Sequence, residues 1–516
     1  MAQPTASGEW LRLDGLRRGF ITRCEKYAGF TLSRLCTETG FDQMTTELSH
    51  DWQSVGAQAT NHVVNKLVLT LFNPGSPFFR LEADAKWKAQ ILANGVKEAE
   101  IDTALAAAEQ AAIKEMDRRP VRPKLYQALA NLVVLGNVCM YLPRGKDKTN
   151  EPRVFGIKQF VVRRTGEGKL KCLIIRECLM FDELESEVQA YCLSSPHGTR
   201  HTAESKVELF KYLERQVDGS YKLSQWVGDK RLPDEYDGAW SEADCPYRVL
   251  TWNLQDESDY GTGLVEDFSG DFAALSALSE AQVKGAILAS EFRWLVNPGG
   301  MTKPEDLEQS ENGAAIPGVE GDISLIANSK PGDLAVVQNI ASDYIRRIGQ
   351  GFLLGSATTR DAERVTAVEI RMQAMELETS FGGTYSRIAV DLQGPFADWL
   401  LLSVDFDLKG TKIKRSIITG LDALSRNGDL ENLRLFVQDI AQVTTLPEQS
   451  QNVLELGNIF AALALGRNLD PTKYVKSEAK QAQEQEARQA AQQEAMAQEQ
   501  GAKAASAQIV QGTKAQ

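Results

Sequence analysis

Apolar residues recur at helical spacing through most of the first 140 positions. Candidate helices cover 9–38, 42–71, 85–117 and 121–138. In the second, Leu48, Trp52, Val55, Ala59, Val63 and Leu67 follow a period close to 3.6. That helix is expected to stop at Asn73-Pro74-Gly75, and the fourth, with Leu125, Leu129, Leu132 and Leu135, at Gly136. From 139 to 252 the pattern shortens to strands. FGIKQFVVRR and KLKCLIIREC flank Thr165-Gly166-Glu167-Gly168, and KVELFKYLERQV and SYKLSQWVG flank Asp218-Gly219. Both read as hairpins in one antiparallel sheet subdomain, with PYRVLTWNL as a further strand.

Helix returns at 263–292, where Phe268, Phe272, Leu275 and Leu278 keep helical spacing. Residues 297–332 then hold four Pro and six Gly, so turns and short strands are expected there. Another helix is expected over 334–351, with Ala335, Tyr344, Ile345 and Ile348. The order helix, compact excursion, helix describes two helices side by side with a small module at the tip. Beyond Gly355, Val365, Val368, Met372 and Met375 repeat at 3, 4, 3 spacing, a coiled-coil-like seam. Ser356 or Thr359 suits the helix start, and Gly382-Gly383 allows a kink. Residues 395–465 read as helical, including a helix-turn-helix pattern without the basic surface that DNA readout needs. The segment 477–516 contains twelve Ala and eleven Gln with few apolar anchors, so it cannot bury a core alone.

At 516 residues the chain is expected to fold as several subdomains. Its apolar runs are far shorter than a membrane span, and MAQPTASGEW carries no secretory or lipidation signal. The seven cysteines form no CxxC pair, which points to free thiols in a reducing compartment. The formal net charge of −13 excludes tight phosphate-wrapping DNA binding. It remains compatible with a polyanion sliding past.

A search for chemistry returns little. Gly166-Glu167-Gly168-Lys169 lacks the hydroxyl and the length of a phosphate-binding loop, and reads as a turn. Gly261-Thr262-Gly263 precedes a helix without a third glycine, beside the acidic Glu266, and reads as a helix entry. His197 and His201 sit four apart after Cys192, but SSPHGTRH is loop-like. Asp405 and Asp407 lack the remaining ligands of a calcium loop. No catalytic set, cofactor site or metal site is expected. Arg346 and Arg347 close one helix and Arg360 opens the next segment, with Gly351 and Gly355 between them offering backbone freedom. Phe352, Leu353 and Leu354 are apolar in a linker expected to be polar. They either pack under the neighbouring helix or form a movable collar.

Residues 360–378, RDAERVTAVEIRMQAMELE, with SFGGTYSRIAVDLQGPF after them, resemble the long helix of portal proteins, or head-to-tail connectors, of short-tailed bacteriophages. In order and texture the resemblance extends over 8–470. It implies an α+β, mainly helical fold. Its regions would be a helical N-terminal wing (1–138), a β-rich wing (139–262) and a stem helix (263–292). A clip (293–333), a second stem helix (334–351) and a tunnel loop (352–360) would follow. A long kinked wing helix (361–394), a helical crown (395–476) and the Ala/Gln tail (477–516) would complete the chain. The family further implies a homo-oligomeric ring, a dodecamer, at one capsid vertex of the virion. Expected partners are the major capsid protein, scaffolding protein, terminase large subunit, tail tube adaptor proteins and internal core proteins. Double-stranded DNA would pass through without sequence-specific contacts. Arg346, Arg347 and Arg360 would face the channel, and Phe352, Leu353, Leu354 and Gly355 would belong to the tunnel loop. The alternatives are a helical scaffold unrelated to DNA, or an enzyme with its site in the 139–252 sheet.

Overall fold

The structure is a computed structural model. It describes residues 5–417, apart from 74–76, 85, 89–97, 146–149, 194–201, 203, 291, 306–308, 312–314, 316–317, 328–330, 355–375, 378 and 410. Beyond 417 it describes 437–438, 440–441 and 463. The tail at 477–516, Gly355, Arg360 and the Val365–Met375 seam therefore lie outside the described residues. So do His197 and His201.

The chain begins with α1 (Ala6–Leu16), α2 (Arg18–Phe30) and α3 (Val55–Leu71), then β1 (Phe79–Ala83), α4 (Glu98–Arg118) and α5 (Val121–Leu135). The β-rich part holds β2 (Asn137–Tyr141), β3 (Arg153–Phe155), β4 (Phe160–Arg164), β5 (Leu170–Met180), α6 (Ser186–Leu193), β6 (Lys206–Arg215), β7 (Tyr221–Val227), β8 (Lys230–Arg231), β9 (Gly238–Trp240) and β10 (Tyr247–Thr251). Then come α7 (Leu264–Asp267), α8 (Ser269–Ser290), β11 (Phe292–Val296), β12 (Ile323–Ala327), α9 (Pro331–Gly351), α10 (Gly383–Ile388), α11 (Gly394–Ser403) and β13 (Ile413–Ile417).

Several boundaries differ from the periodicity. The 9–38 helix breaks at Arg17, whose buried guanidinium donates to the carbonyls of Ile157 and Phe160 at 2.8 and 2.6 Å. The 42–71 helix starts only at Val55. Gln53 there donates to Phe30 O and accepts from Gly56 N, both at 2.8 Å, and fixes the helix entry. Leu48 and Trp52 fall outside it. The fourth helix ends at Leu135 because Gly136 takes φ +71°, the usual left-handed helix stop. Pro331 lies at the first position of α9, where its missing N–H costs nothing, so Pro331 and Gly332 belong to the helix and not to a turn.

The strand block forms two sheets, not one. β4-β5-β6-β7-β8 run antiparallel with β9 beside β7, while β10 pairs with β2, and β2 with β3. Both expected hairpin turns are present, with Gly168 at φ +76° and Gly219 at φ +85°. Adjacent residues of β4 and β5 serve opposite faces, as strand geometry requires. Val161 and Ile174 join Trp10 of α1, while Phe160, Val162, Leu173 and Ile175 enter the main core. Buried Glu177 of β5 ties the sheets together, accepting from Lys211 of β6 at 2.6 Å and Arg153 of β3 at 2.7 Å.

The stretch from 395 is not wholly helical. β13 pairs antiparallel with β1, Phe79 opposite Ile417, and Arg415 of β13 meets Asp398 of α11 at 2.5 Å. Before α11, Gly382 at φ +50° interrupts the helix, and residues 389–393 form a π turn. Pro395, one position into α11, has no N–H to donate back to Asp391, which favours the wider turn.

Candidate channel site

Two helices and a hairpin carry the region singled out by the sequence. α8 and α9 lie antiparallel, because Phe268 and Phe272 at the start of α8 meet Phe352 just past the end of α9. At the other end, a Cβ on Gly285 would stand 3.0 Å from Leu334. Their inner face buries Phe272, Leu275, Ala341, Ile348 and Phe352. Away from that stripe the pair also carries exposed apolar side chains, Val283 and Ile287 on α8 and Val336, Ile340 and Ile345 on α9.

The antiparallel strands β11 and β12 join the helices. Asp322 organises the loop beside them. Its carbonyl accepts from Asn297 N at 2.8 Å and its carboxylate from Met301 N at 2.9 Å. Gly300 passes so close that a Cβ there would lie 2.4 Å from the Asp322 carboxyl.

Arg346 and Arg347 both project from the last turns of α9 and are 70% and 56% exposed. Arg346 pairs with Asp343 at 2.9 Å. Arg347 lies over the Tyr344 ring at 4.5 Å and faces Asp271 of α8 at 3.8 Å. Exposed pairs of this kind contribute little to stability and exchange readily for another anion. Phe352 is fully buried against Phe268 and Phe272, Leu353 is buried and Leu354 partly so. The positive φ falls on Leu353, at +57°, and not on Gly351. Gly351 stays helical and is glycine because the Phe268 ring crosses its α-carbon.

The sequence alone gave no sign of two residues on α3 that reach this region. His62 hydrogen-bonds the backbone of Leu353, and Lys66 meets Glu376 at 2.5 Å. Burial and the Lys66 charge push the His62 pKa below its ordinary value, with the Leu353 bond and Glu376 acting the other way.

The glycine motifs serve packing. A Cβ on Gly136 would lie 2.4 Å from Thr262, and one on Gly263 would lie 2.8 Å from Val133 O. Asn137 bridges the crossing, donating to Gly261 O at 2.7 Å and accepting from Gly261 N at 2.9 Å. Among the described residues no group of three or more His, Cys, Asp or Glu is arranged to hold a metal ion. No described helix is long and apolar enough to cross a membrane.

The chain is similar to known proteins over nearly its whole length. The family described as bacteriophage head to tail connecting protein matches residues 3–465. The portal protein of Enterobacteria phage SP6 is 32% identical over 505 residues, 98% of this chain and 96% of that one. The portal protein of Escherichia phage T7 is 29% identical, over 90% of this chain and 87% of its own. That of Pseudomonas phage phiKMV is 30% identical, over 85% of this chain and 87% of its own. Among solved structures, the neck of an empty GTA particle aligns with 81% of this chain and 91% of its own at a TM-score of 0.38 and 13% identity. On the family match and the SP6 relative, the chain belongs to the head-to-tail connecting, or portal, protein family of short-tailed bacteriophages.

Proposed function

We propose that copies of this chain close into a ring that forms the channel at one capsid vertex of the virion, through which the genome is packaged and later ejected. The observation that carries the ring is the set of exposed apolar side chains on the flanks of the α8/α9 pair. Val283, Ile287, Val336, Ile340 and Ile345 stand in water in a single chain, and a heterologous contact repeated around an axis covers them with a neighbouring copy. We take the ring to hold twelve copies, as the family resemblance implies.

Each copy then presents the same helix end to the axis. Arg346 and Arg347 form sparse basic rings on an otherwise acidic wall, which positions a duplex without trapping it. The hairpin module at the tip serves as the clip that receives the terminase large subunit and later the tail tube adaptor proteins. Major capsid, scaffolding and internal core proteins meet the outer surfaces. The work of packaging comes from the separate terminase motor, and this chain contributes geometry and charge rather than catalysis.

Projection images of purified protein test the proposal. Rings with a central hole, and a near-megadalton mass by light scattering, are expected. A stable monomer at micromolar concentration overturns it.

A further inference from the structure

Two polar residues of α3 are spent on partners far away in sequence. His62 and Lys66 are four apart, so their side chains rise from one face of the helix, one turn from each other. His62 bonds the backbone of Leu353, just beyond the end of α9. Its Nε2 is buried with no hydrogen-bond partner among the described residues, which leaves Nδ1 as the donor. Lys66, only 5% exposed, holds Glu376 at 2.5 Å. Between these contacts the chain runs through residues 354–375. Leu353 itself occupies the left-handed region at φ +57°, a conformation that a leucine keeps only when its surroundings impose it. Fully buried Phe352 on one side and fully buried Leu377 on the other seat the flanks in the same core as α3.

We infer that His62 and Lys66 are positioning residues that pin Leu353 and Glu376, which flank residues 354–375, to points one helical turn apart on α3. The segment thus leaves and returns at fixed points, set by an element that is not itself part of the helix pair. The two contacts differ in chemistry, one a donor to a carbonyl and the other a partly buried ion pair, so each can be broken separately by substitution. The inference rests on the channel reading only for its consequence, that these anchors matter to genome packaging.

Hydrogen exchange measured on the assembled full-length protein tests it, with peptides covering 345–354 and 376–386. His62→Leu should raise exchange in the first by about five-fold or more and leave the second nearly unchanged. Lys66→Met should do the reverse. His62→Asn, which keeps an N–H donor, and Lys66→Arg should each stay near the wild-type pattern. Both disruptive variants should lower full-length genome yield per assembled ring. If either fails to fold, the charge-swapped pair Lys66→Glu with Glu376→Lys carries the test, and should assemble with wild-type exchange at both ends. Unchanged exchange in the disruptive variants, uniform loosening of both peptides, or increased exchange in the charge-swapped pair overturns the inference. Wild-type protein that forms no rings refutes the channel reading instead, and leaves the exchange result standing on its own.

Discussion

The Cβ that Gly351 lacks would stand 2.2 Å from Cζ of Phe268, across the joint between α9 and the start of α8. Phe268 in turn packs edge-on against Phe352, with ring centroids 5.4 Å apart. Gly351→Ala should therefore displace the ring and cost about 1–3 kcal/mol, the usual range for overpacking a filled site. In a Phe268→Leu background the sign should reverse, because the clash is gone and Ala is the better helix former. Denaturant midpoints of the four proteins check this; the same cost in both backgrounds would show that Phe268 is not the obstacle.

Glu177 joins the two sheets, and burial alone would raise its pKa. Lys211 and Arg153 outweigh burial and hold the carboxyl below its ordinary value. Glu177→Gln should cost about 3 kcal/mol, since it leaves two cations without their counter-charge. A depressed carboxylate stabilises the fold above its unfolded value and loses that contribution as pH falls through the folded one. The difference between wild type and Glu177→Gln should thus shrink below about pH 4.3. Thermal melts across the acid range measure it, and a pH-independent difference speaks against the ionised carboxylate.

His62 gives a second, separate pH signal. The groups facing it are Lys66 on its own helix, the Leu353 carbonyl and Glu376, and the net effect is a lowered pKa. Below about pH 6.5 the unfolded chain takes up a proton that the folded chain resists, so stability falls as pH drops through that window. His62→Asn should flatten the profile there while leaving the Glu177 signal at lower pH. A curve unchanged between pH 5 and 7 on that substitution, on the order of the window just named, assigns the titration elsewhere.

Arg346 and Arg347 are exposed and weakly paired, so the double substitution to Ala should leave ring yield and melting unchanged. Its effect should appear with duplex DNA, as weaker retention and a shallower dependence of log affinity on log salt. Retention and salt slope equal to wild type would place both side chains away from the duplex.

What the sequence disclosed depended on how local the cause was. The α8–hairpin–α9 unit was legible because its breakers, Asn297-Pro298-Gly299-Gly300, sit inside the segment they interrupt. β13 was not, because its partner β1 lies more than three hundred residues earlier and five alternating residues cannot announce a distant pairing. Leu48 and Trp52 kept helical spacing, yet the side chain of Gln53 fixed the helix start beyond them. The position of Arg346 and Arg347 near a helix end could be read from the local pattern. His62 and Lys66 could not, because polar residues on a helix read as solvent-facing until their tertiary partners are known. Gly351 was recognised as significant for the wrong reason: backbone freedom was expected, and the requirement proved to be steric.

The pairing of Phe79–Ala83 with Ile413–Ile417 also bears on biosynthesis. At ordinary elongation rates the first strand waits on the order of 20–60 s for the second to leave the ribosome. Until then Phe79 and Leu81, both buried in the finished fold, border an open strand edge, which invites pairing with the wrong chain. A polypeptide released early lacks the closing strand. It keeps that open edge, so it is a substrate for proteases and chaperones rather than a ring subunit. In a closed assembly where one defective copy spoils the whole, placing the completing strand so late restricts the pool of building blocks to chains translated at least to residue 417.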